Sequence, residues 1–220
     1  MLLKVPQLLE PKEVARLRET LERAQFVDGS VSGKAALKRN LQANQANPEV
    51  SAASKACVGR MFQRREVTAY AIPKQIYLIF NRYDVGMEYK DHIDAALMGD
   101  SQRPLRADIS FTVFLTDAKD YAGGEFVLQT PYGEQRIKHD AGDVMLYPST
   151  MLHRVDPITE GVRWCAVGWI QSFVKDAEQR RLLFEMDRLR YRIAEDLPES
   201  SYPEDFGQVH QNLLRMWSEV

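Results

Sequence analysis

Between Val67 and about Ile170 the chain has a texture that leaves few folds open to it. Runs of β-branched and aromatic residues are short, and Gly, Pro, Asp and Asn bound them. The pattern predicts strands near 67–71, 75–83, 107–116, 125–128, 133–139, 143–147, 152–156 and 162–170. No helical period intervenes, so neighbouring strands must be joined by turns, which argues an antiparallel sandwich or jelly roll. Alternation sharpens the picture. Tyr77, Asn81 and Tyr83 share one strand face, while Ile76, Leu78 and Phe80 share the other. Asp108, Ser110, Thr112 and Phe114 oppose Ile109, Phe111, Val113 and Leu115. A polar-aromatic face set against an apolar one fits a barrel whose lumen holds a ligand and whose outside is packed by helices.

Helical periods flank this region, so the class is α+β. Pro11 suits a first helical turn, and Val14, Leu17, Leu21 and Ala24 follow at spacings of three and four. Phe26 to Ser30 reads as a turn, and residues 30–46 as a loop without period that orders near a substrate. Asn47-Pro48 caps a second helix with a Val50, Ala53, Cys57, Met61 stripe that fades at Gln63-Arg64-Arg65. After Phe173 the helical period returns. Asp176-Ala177-Glu178-Gln179 resembles a capping box, and Leu183, Met186, Leu189 or Arg190, and Ile193 continue the stripe. Leu197-Pro198 breaks it, and a last helix from Pro203 carries Phe206, Val209, Leu213 and Trp217. The organisation expected is a jelly-roll domain over 1–174 with N-terminal helices, and a helical extension over 175–220 that either caps the barrel or forms a homo-oligomer contact.

Composition excludes several function classes. A net charge of −2 gives no electrostatic case for nucleic acid or an anionic membrane. No apolar run approaches the length of a membrane span, and the N-terminus lacks the pattern of a signal peptide. Two cysteines, Cys57 and Cys165, are too few for a disulfide framework and read as reduced core residues, so a cytoplasmic location is expected.

The chemistry is carried by few residues. His92 and Asp94 stand two apart, so on extended chain both side chains point to one place, with Ile93 turned away. Alone, such a pair is more often a surface histidine and a turn-capping aspartate. His153, where a strand resumes after Pro148, is either a core histidine or a third ligand. Two histidines and a carboxylate with open positions form the facial triad of non-haem Fe(II) oxygenases, and no thiolate lies nearby to favour a closed zinc site. Arg163 sits in the apolar strand Val162-Arg163-Trp164-Cys165-Ala166-Val167, where a lone guanidinium is costly. It is either paired with an acid such as Asp156 or a bidentate clamp on a dicarboxylate.

Arg82-Tyr83-Asp84-Val85-Gly86-Met87-Glu88-Tyr89-Lys90-Asp91-His92-Ile93-Asp94, then Gly123-Gly124-Glu125-Phe126, then the His153 segment and Arg163, resemble the Fe(II)- and 2-oxoglutarate-dependent dioxygenases of the prolyl-hydroxylase type. With Pro11-Lys12-Glu13-Val14 and the helical tail, the whole chain looks most like the bacterial PKHD-type hydroxylases, some of which are called iron-uptake factors. The resemblance implies a double-stranded β-helix with His92, Asp94 and His153 as iron ligands. It implies Arg163 as the 2-oxoglutarate-binding arginine, Tyr83 as a tyrosine touching that co-substrate, and ascorbate as a reductant. Tyr83 is equally a barrel-packing residue, and Phe114 stands where some relatives carry another tyrosine. Glu125 in the Gly-Gly-Glu turn reads as structural, His139 and His210 as outside the site, and Arg64-Arg65 and Arg180-Arg181 as solvated charge pairs.

The activity implied is oxidative decarboxylation of 2-oxoglutarate coupled to hydroxylation, with O2, of a small molecule or peptide. Its rivals are a cupin-like metal enzyme without 2-oxoglutarate, which the shortage of histidines disfavours, and a non-catalytic iron or 2-oxoglutarate sensor. Residues 30–46 and 95–106 are the segments expected to shape substrate choice.

Overall fold

The structure, a computed structural model, describes residues 1–32, 37–100 and 102–219. Two antiparallel sheets face one another. The larger takes, in spatial order, strands Leu3–Val5, Val144–Pro148, Ile109–Phe114, Arg163–Ser172, Pro73–Tyr83, Leu41–Ala43 and Phe26–Asp28. The smaller takes Gly133–Ile137, Phe126–Thr130, His153–Val155, Glu88–His92 and Lys38–Arg39. Two further short antiparallel pairs join Leu97–Asp100 with Arg103–Arg106 and Tyr121–Gly123 with Ile158–Gly161. The α+β class and the antiparallel jelly roll therefore stand.

The two faces of the large sheet divide as alternation requires. Leu78, Phe80, Ile109, Phe111, Val113, Leu115 and Ala166 join the core shared with the helices. Tyr83, Phe114, Met145, Tyr147 and Cys165 turn to the opposite side and pack with Phe126, Leu128 and Val155 of the small sheet. Each fully buried Leu or Phe on these seams contributes about 1.5–3 kcal/mol relative to exposure, which fixes the strand register against a one-residue slip.

Helices α1 (Pro11–Arg23) and α2 (Pro48–Gln63) cover the outer face of the large sheet as expected. Asn47 Oδ1 accepts from the amides of Glu49 and Val50, and Glu13 Oε2 accepts from the amide of Glu10. The strand expected at 67–71 is instead a helix, α3 (Arg65–Ala71). Val67, Tyr70 and Ala71 are its buried residues, the i, i+3, i+4 spacing of a helical stripe, so tertiary packing overrode β-propensity. The turn expected at Phe26–Ser30 is a strand, Phe26–Asp28, followed by a 3₁₀ turn, Gly29–Ser32. The two loops expected at 30–46 and 95–106 also carry strands, while residues 33–36 and 101 lie outside the described residues.

The chain ends in α4 (Ala177–Asp196) and α5 (Tyr202–Trp217). Asp176 Oδ1 accepts from the amides of Glu178 and Gln179. The arginine pairs expected to be solvated are partly structural. Arg180 is buried and donates to the carbonyls of Val174 and Lys175. Arg65 pairs with Asp187 at 2.8 Å and lies over the Tyr191 ring, tying α4 to α3. In α4, Leu183 is buried and Met186, Arg190 and Ile193 are half-buried, so the expected stripe stands with Arg190 in place of the exposed Leu189, and Phe184 and Asp187 widen the buried side. In α5, Phe206, Leu213 and Trp217 are half-buried as the stripe requires, whereas Val209 is exposed.

Candidate metal centre and its cavity

A cavity of about 640 Å³ opens between the sheets, and His92, Asp94, His153, Tyr83 and Arg163 all line it. His92 ends its strand, and Asp94 lies two residues beyond, in irregular backbone. The alternation of the strand nonetheless carries past its end, and Ile93 between them is 61% exposed. His153 opens its own strand directly across from His92 in the register.

One ligating atom from each of the three residues lies within 4.8 Å of the others, the single such group among the described residues. Asp94 Oδ1 is 4.0 Å from His92 Nε2, and Asp94 Oδ2 is 3.9 Å from His153 Nε2. The other ring nitrogens are committed elsewhere. His92 Nδ1 sits 2.7 Å from the Lys90 carbonyl oxygen, and His153 Nδ1 sits 2.9 Å from that of Met151. A carbonyl only accepts, so Nδ1 carries the proton in both rings and each Nε2 keeps a lone pair for a cation. Burial, then the neighbouring His153, lowers the pKa of His92 to about 4. Ser110 Oγ donates to Asp94 Oδ2 at 2.5 Å, and Ser149 Oγ lies 2.8 Å from the Ser110 hydroxyl. With its one hydrogen spent on Asp94, Ser110 accepts from Ser149. Tyr89 stacks on His92 with centroids 3.5 Å apart and fixes the ring plane. The donor set, two imidazoles and a carboxylate lining one cavity, suits Fe(II).

Arg163 stands opposite Tyr83 across the central strand pair. It is 1% exposed. Its Nη1 donates to Cys165 Sγ at 3.0 Å, and its guanidinium lies over the rings of Tyr83 and Phe114 at 5.3 and 5.6 Å. Nε and Nη2 make no close hydrogen bond; the Tyr121 hydroxyl beside the guanidinium is a neutral neighbour, and no carboxylate among the described residues pairs with it. Asp156, the acid that sequence offered as a salt-bridge partner, is engaged by Arg136 at 2.7 Å and Arg154 at 2.6 Å. A buried cation left without a carboxylate is a costly feature, and it fits a ligand that brings one.

Gly123 and Gly124 adopt φ of 69° and 65°. A Cβ on Gly124 would lie 2.3 Å from Ile158 Cδ1 and 3.2 Å from Arg163 Cδ, so the glycine leaves room for the arginine. Glu125 is outside the cavity lining, consistent with a structural turn. His139 packs its edge on Phe114, and His210 lies on α5, both away from the metal centre.

Several lining residues escaped the site assignment. Lys38 is buried, lies over the Tyr89 ring at 5.4 Å, and burial lowers its pKa to about 8. It belongs to a segment without period, so nothing in the sequence marked it. Trp169 was readable, because it falls on the same strand face as Arg163 by alternation.

Residues 78–171 match the model of the 2OG-Fe(II) oxygenase superfamily. A solved Pseudomonas putida prolyl-4-hydroxylase superposes with a TM-score of 0.58 over 78% of this chain and 92% of its own, at 15% identity, which shows a shared fold. The fold and matched family define a non-haem Fe(II)- and 2-oxoglutarate-dependent dioxygenase. Residues 177–219 match the PKHD-type hydroxylase C-terminal domain. A PKHD-type hydroxylase of Pseudomonas putida is 39% identical over 226 residues, covering both chains in full. Another, of Gluconobacter oxydans, is 40% identical over 229 residues, again with full coverage. The chain belongs to the PKHD-type hydroxylase family.

Proposed function

We propose that His92, Asp94 and His153 hold the iron of this hydroxylase and that Arg163, with Tyr83 beside it, binds the distal carboxylate of 2-oxoglutarate. The observation that carries the reading is the Arg163 guanidinium. It is buried without a carboxylate, keeps two nitrogens that make no close hydrogen bond, and shares a cavity with three residues able to ligate one cation. A carboxylate offers the two parallel acceptor oxygens that a planar guanidinium matches.

Once bound, iron and 2-oxoglutarate supply the oxidising chemistry that couples decarboxylation of the co-substrate to hydroxylation, with O2 as co-reactant. The chain's own residues do the placing. The Lys90 and Met151 carbonyls set the histidine tautomers, and Ser110 fixes the Asp94 carboxylate. A low pKa keeps His92 free of a competing proton near neutral pH. Phe126 and Val155 give the centre part of its apolar wall.

The same reading takes a small molecule or a peptide as primary substrate and ascorbate as the reductant that keeps iron ferrous. It places the protein in the cytoplasm; no helix of the described residues is long and apolar enough to cross a membrane. It divides the chain at 174/175 into the catalytic unit and a helical extension with a homo-oligomer contact as its second use, and it carries the association with iron uptake.

The test is anaerobic addition of Fe(II) and then 2-oxoglutarate. A visible charge-transfer band is expected, followed by succinate once O2 is admitted. Full succinate production by His153→Ala would defeat the ligand assignment.

A further inference from the structure

The end of the chain returns to a hairpin that starts three residues after Asp94. The strands Leu97–Asp100 and Arg103–Arg106 pair with each other and with no further strand among the described residues. A lone two-stranded hairpin is marginal in water, so its place depends on what ties it down. That place matters to the site, because Ala95, Ala96 and Met98 line the cavity.

Two ties are present. One is apolar: Leu105 is fully buried and clusters with Ile79, Trp169 and Met98. The other is polar and gathers on Arg106. Its Nε and Nη2 donate to the two carboxylate oxygens of Asp108 at 2.7 and 3.0 Å. Nη2 also donates to the Ser172 carbonyl at 3.3 Å, and Nη1 to Glu219 Oε2 at 3.1 Å. Asp108 Oδ2 accepts in turn from the Ser172 amide at 2.9 Å. Glu219 is fixed at its backbone as well, where its amide donates to the Phe173 carbonyl at 2.7 Å. Ser172 and Phe173 lie where the chain leaves the barrel for α4, and Glu219 lies just past α5. Both ends of the helical extension therefore converge on one guanidinium, and that guanidinium belongs to the cavity hairpin. Docking of the extension does not require this, since Arg65–Asp187 and the Tyr70–Phe184 ring contact already join α4 to α3.

Resting on the iron and 2-oxoglutarate reading for what the cavity holds, we propose that Arg106 and Glu219 are positioning residues, through which the C-terminal extension clasps the hairpin against the cavity. The extension reaches the site through this hairpin. Charge-assisted bonds to several acceptors at once give the clasp its geometry.

The test is hydrogen exchange by mass spectrometry on the full-length protein, metal-free and loaded anaerobically with Fe(II) and 2-oxoglutarate. Glu219→Ala should speed exchange in the two hairpin strands roughly twofold to fivefold, the worth of one exposed ion pair. Exchange in Phe126–Thr130 of the small sheet should not change. In an Arg106→Met background the same Glu219→Ala change should add nothing at the hairpin, because its partner is gone. A residue that merely supports the extension would instead speed exchange in α4 and α5, equally in both backgrounds. An unchanged hairpin, acceleration confined to α4 and α5, or equal acceleration with and without Arg106 overturns the clasp. If Arg106→Met does not fold, Glu219→Ala in 1 M NaCl replaces the cycle, and an effect as large there as at low salt overturns the ionic link. The charge-transfer band of the loaded wild type is recorded in the same samples. Its absence overturns the iron and 2-oxoglutarate assignment, while exchange in the metal-free protein still decides the clasp.

Discussion

Replacing Arg163 by methionine should move two quantities in opposite directions. The guanidinium is 1% exposed, and three of its surroundings are the Cys165 sulfur and the faces of Tyr83 and Phe114, none of them an anion at neutral pH. Met has similar reach and no charge to desolvate. Replacing even well-paired buried ions by hydrophobic residues of similar volume often stabilises a fold by about 1–4 kcal/mol, and here the ion lacks its carboxylate. The metal-free, ligand-free variant should therefore be more stable than the wild type by at least about 1 kcal/mol, read as a higher urea midpoint at unchanged slope. Binding should suffer the reverse. Deleting one partner of a desolvated charge pair costs about 2–5 kcal/mol, which converts to a loss of roughly 30-fold to several thousand-fold in 2-oxoglutarate affinity. Anaerobic titration of the Fe(II)-loaded protein with 2-oxoglutarate, followed by the charge-transfer band, measures it. Fe(II) affinity itself should hold, because none of the three ligating residues touches the substituted side chain. An Arg163→Met protein that is less stable than the wild type, or that binds 2-oxoglutarate within threefold of it, would refute the reasoning.

Ser110→Ala removes the hydroxyl that holds Asp94 Oδ2, and Fe(II) affinity should fall about 10- to 100-fold with little change in the urea midpoint; an unchanged Fe(II) titration would show that the hydroxyl does not position the ligand. Gly124→Ala places a Cβ 2.3 Å from Ile158 Cδ1 at a φ of 65°, so it should destabilise by more than the roughly 1–2 kcal/mol of the backbone conformation alone. Urea unfolding gives the value, and a loss under 1 kcal/mol would contradict the packing. Burial pushes the Cys57 thiol up to about 12 and the Cys165 thiol upward as well, so near pH 8 both stay protonated and enclosed. Ellman's reagent should find no fast thiol in the native protein and two after denaturation; a fast native thiol would show that one of them is accessible.

The legible parts of this molecule are those where one physical rule acts alone. Alternation placed Tyr83, Ser110, Thr112 and Phe114 on the ligand side and Leu78, Phe80 and Val113 on the helix side, because each strand is long enough for its period to show. The His92–Asp94 spacing was readable for the same reason, although Asp94 turned out to lie beyond the strand. Short elements failed. Residues 67–71 look β-branched and aromatic, yet their buried set follows a helical turn, a choice made by contacts with Met1 and Phe184 far along the chain. Lys38 was invisible because its strand is two residues long and exists only through pairing with Tyr89 and Glu88. What no sequence pattern could decide was the state of Arg163. Asp156 was available on paper, and only the fold shows that Arg136 and Arg154 have taken it.

That diversion bears on how the cavity is built. The polar side-chain atoms left buried without a close hydrogen bond include Arg163 Nε and Nη2, Tyr121 Oη, Asn81 Oδ1 and Trp169 Nε1, and of these residues Arg163, Asn81 and Trp169 line one cavity. Each such group costs about 1–3 kcal/mol in the empty protein, more for the charged one. On the small sheet, by contrast, Arg154 and Arg136 share Glu134 and Asp156 in one network. Unmet polar groups on the cavity wall, the Arg163 guanidinium above all, couple ligand binding to folding. Whatever satisfies the cavity stabilises the native state by RT ln(1 + [L]/Kd), so 2-oxoglutarate at a hundred times its Kd adds about 2.7 kcal/mol. The linkage also gives the clamp a signature independent of turnover. 2-Oxoglutarate with Fe(II) should raise the urea midpoint of the wild type and leave that of Arg163→Met nearly unmoved, and an equal rise in both would place the co-substrate elsewhere.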